Sequence, residues 1–280
     1  MVIRNERILV TGATGQIGQS LVRQLLAGSD DMRVRLFARN TAVTRTLFAN
    51  EEYAGRIEYS QGTNEDLLSL AVALVDVDRL FLLTIKPVLE MEMVKVAEAS
   101  GVKHIVKLSC IVATEQAAVD ELVQKHMAVQ SLLASLSVPF TILWPGVFME
   151  SLLPSGQETS KAYPEPLQHD YFEDGYLFAI SVHDAASCAA AILAGPLESH
   201  TNKSYILSGC APDYCPLLFP QNQRAPPLHA CYLRYFGDSF LASNALKSIL
   251  GRDPITWNEF LSSRIYSASS LQPSTPCSIA

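Results

Sequence analysis

Apolar positions in the first half of the chain alternate between short continuous runs and longer stretches with helical spacing. The short runs, rich in Val, Ile, Leu and Phe, predict buried strands at residues 7–10, 34–37, 56–59, 80–84, 104–108 and 140–143. The clearest helices between them are predicted at residues 64–74, 88–100 and 119–136. Strands that are apolar throughout and separated by helices indicate a parallel sheet covered on both faces. The pattern therefore predicts a doubly wound α/β fold.

The rhythm changes after about residue 150. Residues 151–175 are interrupted by prolines and glycines, which predicts an irregular region. Strand-like runs return at residues 177–182 and 204–207, with helices predicted over 183–193 and within 239–250. The Ser/Pro-rich end of the chain, from residue 267 onward, predicts an unstructured tail.

A glycine-rich turn, Val10-Thr-Gly-Ala-Thr-Gly-Gln-Ile-Gly18, joins the first predicted strand to a helix that we expect to end at Gly28. In this context the three glycines permit a tight turn, close approach of a pyrophosphate and close packing of helix on sheet. The start of the helix also offers unpaired N–H groups to phosphates. A turn of this kind that no longer binds a ligand is the alternative. The residues predicted to hold the dinucleotide here are Gly12, Thr14, Gly15, Gln16 and Ile17.

The residues after the second predicted strand favour NADP(H) over NAD(H). NAD-binding proteins place a carboxylate at the end of this strand, where it binds the ribose 2′-hydroxyl. Here Arg39 and Asn40 follow the strand, whereas Asp30 and Asp31 lie at its other end. A guanidinium at this point suits a 2′-phosphate. A solvated surface arginine is the alternative.

Composition excludes several classes of protein. Of 280 residues, 49% are apolar and 18% charged, which is ample for a large core and excludes dominant disorder. The net charge of −7, with no long run of Lys or Arg, argues against a nucleic-acid surface. We expect no membrane span. The six cysteines include no Cys-x-x-Cys pair, so we expect reduced thiols, no metal site and a cytoplasmic location.

Several segments resemble the NmrA-like branch of the atypical short-chain dehydrogenases/reductases. The resemblance covers about residues 7–208, and a shorter similar segment lies at residues 250–261. The segments that carry it are Thr11-Gly-Ala-Thr-Gly-Gln-Ile-Gly18, Gly101-Val-Lys-His-Ile-Val-Lys-Leu-Ser109, Val138-Pro-Phe-Thr-Ile-Leu-Trp-Pro-Gly-Val-Phe-Met149 and Val182-His-Asp-Ala-Ala186. The resemblance implies a Rossmann domain that binds NADP(H) and a small C-terminal lobe over the nicotinamide. Such proteins include reductases of quinones, dyes and alkaloid precursors, and also redox-sensing regulators.

The expected division of the chain follows from this resemblance and from the change of rhythm. A Rossmann domain is expected over residues 1–150 and an irregular substrate lobe over 151–266, in which residues 177–207 return to the sheet. Residues 267–280 form the predicted tail.

The candidate catalytic residues depart from the usual short-chain dehydrogenase pattern. The helix before the sixth strand contains no Tyr-x-x-x-Lys pair, and His126 with Gln130 stands at that spacing. The branch usually has His and Glu there, so Gln130 removes a carboxylate that could orient His126. An imidazole can donate or accept a proton near neutral pH, but a lone helical histidine is often structural. Ser109 and Lys107 share one face of the fifth strand, where they can contact substrate or cofactor. The alternatives are that Ser109 only hydrogen-bonds the backbone and that Lys107 only extends from the end of the sheet into solvent.

Two further groups complete the candidate site. Thr84 and Lys107, at the ends of the fourth and fifth strands, are expected to contact the cofactor. Trp144 replaces an arginine common in the family, which suggests an apolar, stacking pocket wall, although core packing is the alternative. The residues predicted to form this wall are Trp144, Phe148, Met149, Tyr171 and Tyr176.

Two functions remain open on sequence grounds. The first is an NADP(H)-dependent oxidoreductase acting on a conjugated C=N, C=C or C=O of an apolar aromatic small molecule in specialised metabolism, with a coupled cyclisation such as a cycloaddition as a further option. The second is a non-catalytic NADP(H)-sensing regulator that binds a protein partner. The fold alone does not decide between them.

Overall fold

A computed structural model describes residues 6–49, 53, 55–109, 116–152, 179–209 and 244–269. The strands are β1 (Arg7–Val10), β2 (Arg33–Ala38), β3 (Ile57–Gln61), β4 (Arg79–Leu82), β5 (His104–Leu108), β6 (Phe140–Pro145), β7 (Val147–Phe148), β8 (Ala179–Ile180) and β9 (Lys203–Leu207). The helices are α1 (Gln16–Gly28), α2 (Thr41–Leu47), α3 (Leu67–Ala73), α4 (Pro87–Ala99), α5 (Gln116–Ser135), α6 (Val182–Ala194), α7 (Leu197–His200), α8 (Ala245–Leu250) and α9 (Trp257–Ser269). A 3₁₀ turn covers Met149–Leu152.

Seven parallel strands form the main sheet, in the order β3-β2-β1-β4-β5-β6-β9. The chain moves outward from β1 in one direction, returns to β4 and then moves outward in the other direction. The predicted doubly wound α/β fold is confirmed. The return of residues 204–207 to the sheet is also confirmed, because β9 pairs with β6 at the sheet edge. The short strands β7 and β8 pair separately.

The sheet is buried on both faces, which explains why its strands are apolar without alternation. Leu9, Leu80 and Ile105 point into a core shared with α3, α4 and α5. Ile8 and Val10 point the other way, into a core shared with α1 and α6, and these two helices pack against each other. Because all seven strands are parallel, their carboxyl ends meet at one edge of the sheet.

The C-terminal segment is fixed to α6 by a buried carboxylate. Asp184 is fully buried, and its two side-chain oxygens accept hydrogen bonds from Arg252 Nη2 at 2.6 Å and from the Ile255 amide at 2.7 Å. Trp257 and Phe260 of α9 are buried beside each other. This contact joins two segments of the sequence that the family resemblance singles out separately.

Several predicted boundaries need correction. The predicted strand at residues 177–182 ends earlier, because Ser181 caps α6 by accepting a hydrogen bond from the Asp184 amide and Val182 is already helical. The predicted tail from residue 267 overlaps α9, which begins at the buried Trp257 and runs to Ser269. Helices α2, α7 and α9 were not predicted.

Much of the predicted C-terminal lobe lies outside the described residues, so the division of the chain into domains stays a prediction. No helix in the described ranges is long and apolar enough to cross a membrane.

Candidate active site

The glycine turn after β1 packs so closely that two of its glycines are required by the fold. Gly12 has a φ of +65°, a conformation that side chains disfavour. A Cβ at Gly18 would lie 2.2 Å from the Gly12 carbonyl oxygen, so α1 can cross the turn only with glycine there. Close helix–turn packing explains both residues.

Gly15 differs from the other two glycines of the turn. It caps α1 in extended backbone (φ −77°, ψ 166°), and a Cβ there would meet only the Gly12 oxygen at 3.4 Å. The fold would therefore accept a side chain at this position. Glycine here leaves open the start of α1, where no side chain caps the helix and Gln16 is exposed. This is the arrangement expected where a phosphate approaches the backbone.

Thr11 joins β1 to β4 at the point where the strand order reverses. Its hydroxyl lies 3.1 Å from the carbonyl oxygens of Phe81 and Leu83 and accepts a hydrogen bond of 2.8 Å from the Leu83 amide. The reversal point at the carboxyl edge is where doubly wound sheets bind their ligands. Thr11 therefore fixes the floor of the candidate cofactor site.

The residues after β2 and β4 differ in how far the fold already uses them. Arg39 is exposed directly after β2 and makes no hydrogen bond or ion pair within the described ranges. Asn40 caps α2, where its Oδ1 accepts hydrogen bonds from the Ala42 and Val43 amides at 3.0 and 3.2 Å. Thr84 is half-buried and its hydroxyl accepts a hydrogen bond of 2.8 Å from the Lys86 amide. Arg39 is thus the residue of this group whose side chain is available to a ligand.

A cluster of three buried ionisable side chains lies next to the carboxyl edge of the sheet. Lys107 of β5 and Glu90 of α4 are fully buried, and His126 of α5 is only 2% exposed. Lys107 Nζ lies 2.6 Å from Glu90 Oε2 and 2.9 Å from His126 Nδ1. Glu90 Oε2 lies 3.8 Å from His126 Nδ1, so Lys107 connects the other two.

Burial decides the charge on these groups. Desolvation first, and then the positive charge of Lys107, together lower the pKa of His126 to about 3. His126 is therefore neutral near neutral pH. Burial raises the pKa of Glu90, while the attraction of Lys107 and its hydrogen bond oppose that rise. An ammonium group has no lone pair, so Lys107 must donate to His126 Nδ1, which assigns the imidazole proton to Nε2.

Ser109 follows β5 on the same face as Lys107, as the two-residue period predicts. Its amide donates a hydrogen bond of 2.8 Å to the Leu143 carbonyl, which extends the sheet by one residue. Its hydroxyl is buried and has no hydrogen-bond partner in the described part of the chain. A buried hydroxyl without a partner is costly, and it suits a ligand that supplies one.

The described residues of the predicted pocket wall lie in different parts of the core, and the wall itself stays a prediction. Trp144 is 1% exposed and belongs to the core shared with α4 and α5, where its ring meets that of His126 edge-on at a centroid distance of 6.3 Å. Phe148 packs against the core on the opposite side of the sheet, and Met149 is buried. Tyr171 and Tyr176 lie outside the described residues.

Comparison with known proteins places this architecture in a family. The sequence pattern of the NmrA-like family matches residues 4–209. The chain belongs to the NmrA-like family. It is 29% identical over 204 residues to the (4-alkanoyl-5-oxo-2,5-dihydrofuran-3-yl)methyl phosphate reductase of Streptomyces griseus, covering 72% of this chain and 67% of the relative. It is 26% identical over 211 residues to quinone oxidoreductase 2 of Escherichia coli, covering 72% and 68%.

Solved structures agree with this NmrA-like assignment at the level of the fold. The triphenylmethane reductase of Citrobacter sp., solved with NADP(H), superposes with a TM-score of 0.67 at 20% identity, covering 92% of this chain and 99% of that one. The superposition shows the shared fold.

Sequence reasoning missed one member of the buried cluster of this NmrA-like protein. Gln130 lacks the carboxylate expected near His126, but Glu90 brings a carboxylate from α4 to within 3.8 Å of His126 Nδ1. The signal was present in the helix itself, since Glu90 lies at helical spacing with the apolar residues Met93, Val94 and Ala97, which are buried with it. A carboxylate on the buried face of a helix requires a partner.

Proposed function

We propose that this protein is an NADP(H)-dependent reductase of small apolar molecules that carry a conjugated C=N, C=C or C=O group. The observation that carries the proposal is the common location of the glycine turn and the buried Lys107–His126 pair. The turn follows β1 and Lys107 lies near the carboxyl end of β5, so both are at the carboxyl edge in the middle of the sheet, with β4 between the two strands. Reduction of a neutral conjugated acceptor uses a hydride and a proton, so a cofactor cradle and a proton source at the same edge suit this chemistry.

The residues of the turn fit the cofactor. Gly15 leaves the start of α1 open to a pyrophosphate, and Gly12 and Gly18 hold the turn in place. The exposed Arg39 would pair with the 2′-phosphate that distinguishes NADP(H) from NAD(H). When bound, the nicotinamide would supply the hydride.

The residues of β5 and α5 would handle the substrate. The hydroxyl of Ser109, which has no hydrogen-bond partner among the described residues, would donate a hydrogen bond to the oxygen or nitrogen that gains electron density. His126 and Lys107 would hold the proton needed to complete reduction. We place Thr84 at the cofactor because it follows β4, the strand next to the reversal point.

The names of the relatives support a conjugated acceptor. The Streptomyces griseus relative is named for an oxo-dihydrofuran, in which a ring C=C is conjugated with C=O, and the Escherichia coli relative is named for quinones. The lack of a Tyr-x-x-x-Lys pair in α5 also favours such acceptors over simple ketones, since they need less help from a proton donor.

A titration with Arg39→Ala tests the cofactor assignment. Loss of one charge-assisted pair costs about 1.5–3 kcal/mol, so NADPH affinity should fall by about 10- to 100-fold while NADH affinity changes little. Fluorescence titration of both cofactors measures this. Arg33→Ala, at the opposite end of β2, is the matched control and should alter neither affinity. Equal weakening of NADPH and NADH by Arg39→Ala would remove Arg39 from the 2′-phosphate site.

Oxidation of bound NADPH by a panel of acceptors tests the reaction. Loss of absorbance on addition of a quinone, an enone or a triphenylmethane dye would support a reductase. Tight NADPH binding with no oxidation by any of the three would favour a cofactor-sensing regulator instead.

A further inference from the structure

The buried charges of Glu90 and Lys107 are more than the fold requires. Moving two charges from water into a protein interior costs several kcal/mol each, and apolar residues of similar volume often stabilise a core as well or better. Here the charges come from α4 and β5 and meet a third group from α5. Three elements thus converge on one ammonium group.

The hydrogen bonds within this cluster have a fixed direction. Lys107 forms an ion pair with Glu90 Oε2 at 2.6 Å and donates a hydrogen bond to His126 Nδ1 at 2.9 Å. The imidazole proton is consequently on Nε2, the nitrogen on the far side of the ring from Lys107. A neutral imidazole is a weak acid by itself, but it becomes an effective donor when its other nitrogen receives a proton in the same step.

We propose that Glu90, Lys107 and His126 form a buried proton relay for the reduction, with Glu90 as the positioning residue that holds Lys107 protonated and aimed at His126. This inference rests on the proposed reductase function. It adds a carboxylate from α4 to the site and assigns an order to the groups.

The relay step balances in protons and charge. When hydride adds to a neutral acceptor, an oxygen of the acceptor becomes negative. The His126 Nε2–H bond breaks and its proton forms the new O–H bond, while Nδ1 takes a proton from Lys107 Nζ. Lys107 is left as a neutral amine beside the Glu90 carboxylate, and the product is neutral. Water then returns one proton to Nε2, and the Nδ1 proton goes back to Lys107.

The relay predicts a difference between two kinds of acceptor. A quinone needs a hydride and a proton, whereas a cationic triphenylmethane dye is neutralised by hydride alone. Disturbing the relay should therefore slow quinone reduction more than dye reduction. A residue that merely supports the fold should slow both to the same extent.

The first experiment compares Glu90→Gln with the unaltered chain in single turnovers of NADPH-loaded protein, using para-benzoquinone and a cationic triphenylmethane dye. We expect the ratio of the quinone rate to the dye rate to fall by about tenfold or more, since positioned proton donors contribute about 100- to 10,000-fold. Glu92→Gln, an exposed residue on the same helix, is the matched control and should leave the ratio unchanged. The quinone reaction of the unaltered protein should also slow in deuterated water, and the dye reaction should not.

A second experiment needs no cofactor. Nitrogen-15 NMR of the His126 imidazole in the free protein should report the Nε2–H tautomer with Nδ1 accepting a hydrogen bond. The double variant Glu90→Gln/Lys107→Met removes both charges together, so it avoids an unpaired buried carboxylate, and it should abolish the Nδ1 hydrogen bond.

The outcomes separate the relay from the reductase. An equal loss of both rates in Glu90→Gln, or an Nδ1–H tautomer in the free protein, overturns the relay and leaves the reductase intact. Absence of NADPH oxidation by either acceptor overturns both.

Discussion

Strand β5 buries a polar side chain near each of its ends, and the two ends are built differently. At the amino end, His104 Nε2 lies 2.9 Å from Thr141 Oγ1, and Thr141 in turn donates to the His200 carbonyl at 2.7 Å. Because the threonine proton is used there, His104 must donate to Thr141. Burial lowers the pKa of His104 to about 4, so this chain of hydrogen bonds is neutral.

At the carboxyl end, the same strand buries an ammonium and a carboxylate beside a neutral imidazole. The neutral arrangement links buried polar groups between strands without burying a charge, and it leaves His104 Nδ1 with no hydrogen-bond partner among the described residues. The charged one costs more and lies at the edge where doubly wound sheets bind ligands. In this protein the buried charges therefore lie at the carboxyl edge of the sheet, where doubly wound sheets bind ligands, and the neutral hydrogen bonds lie at the amino edge.

The largest expected effect comes from breaking the charged end. Lys107→Met leaves the Glu90 carboxylate buried without its cation, which should lower the free energy of unfolding by about 3–5 kcal/mol. Urea denaturation measures the change. Lys103→Met, at the exposed residue directly before the same strand, removes a cation paired with Asp78 and should cost less than about 1 kcal/mol.

The double variant Glu90→Gln/Lys107→Met sharpens this result, because it should recover most of the stability lost in Lys107→Met. If Lys107→Met lowers the free energy of unfolding no more than Lys103→Met does, the loss of Lys107 does not leave Glu90 as an uncompensated buried charge.

A smaller effect is expected from breaking the neutral end. Thr141→Val keeps the shape of the side chain but leaves a His104 donor and the His200 carbonyl without their shared partner. The expected loss is about 1–3 kcal/mol of unfolding free energy, again by urea denaturation. Thr46→Val, at an exposed position of α2, should change stability by less than about 0.5 kcal/mol. A Thr141→Val protein as stable as the unaltered one would show that this hydrogen-bond chain is dispensable.

The smallest expected effect is a decrease in the free energy of unfolding at acidic pH. His104 has a pKa of about 4 when folded and an ordinary value of about 6.5 when unfolded, so the unfolded chain binds its proton first as the pH falls. The stabilisation is fully present above pH 6.5, decreases as the pH falls from 6.5 towards 4, and is lost below pH 4. Between pH 7 and pH 5.5 it should decrease by about 1 kcal/mol.

His104→Gln provides the test for this titration, since its unfolding free energy should vary less with pH over the same interval. Parallel pH profiles for the two proteins would show that His104 keeps an ordinary pKa in the folded state.

The sequence allowed prediction of features that depend on neighbours along the chain. The spacing of Gly12, Gly15 and Gly18 predicted the turn, and the two-residue period put Lys107 and Ser109 on one face. Glu90 and Thr11 were missed because their roles depend on partners 17 and about 70 residues away, which only the sheet order brings close. Helix α2 was missed because it is short and is held by the side chain of Asn40 rather than by an apolar face.

The Asp184 contact ties the sheet and its helices to residues beyond the family match. The family match ends at residue 209, yet the fully buried Asp184 carboxylate receives its hydrogen bonds from Arg252 and the Ile255 amide. A chain cut after the family match would keep the carboxylate in the first turn of α6 and discard both of these donors. Truncation, domain transplantation or circular permutation of this protein should therefore keep residues 244–260 together with the sheet, because Arg252 and the Ile255 amide, which pair with the buried carboxylate, lie beyond the segment that defines the family.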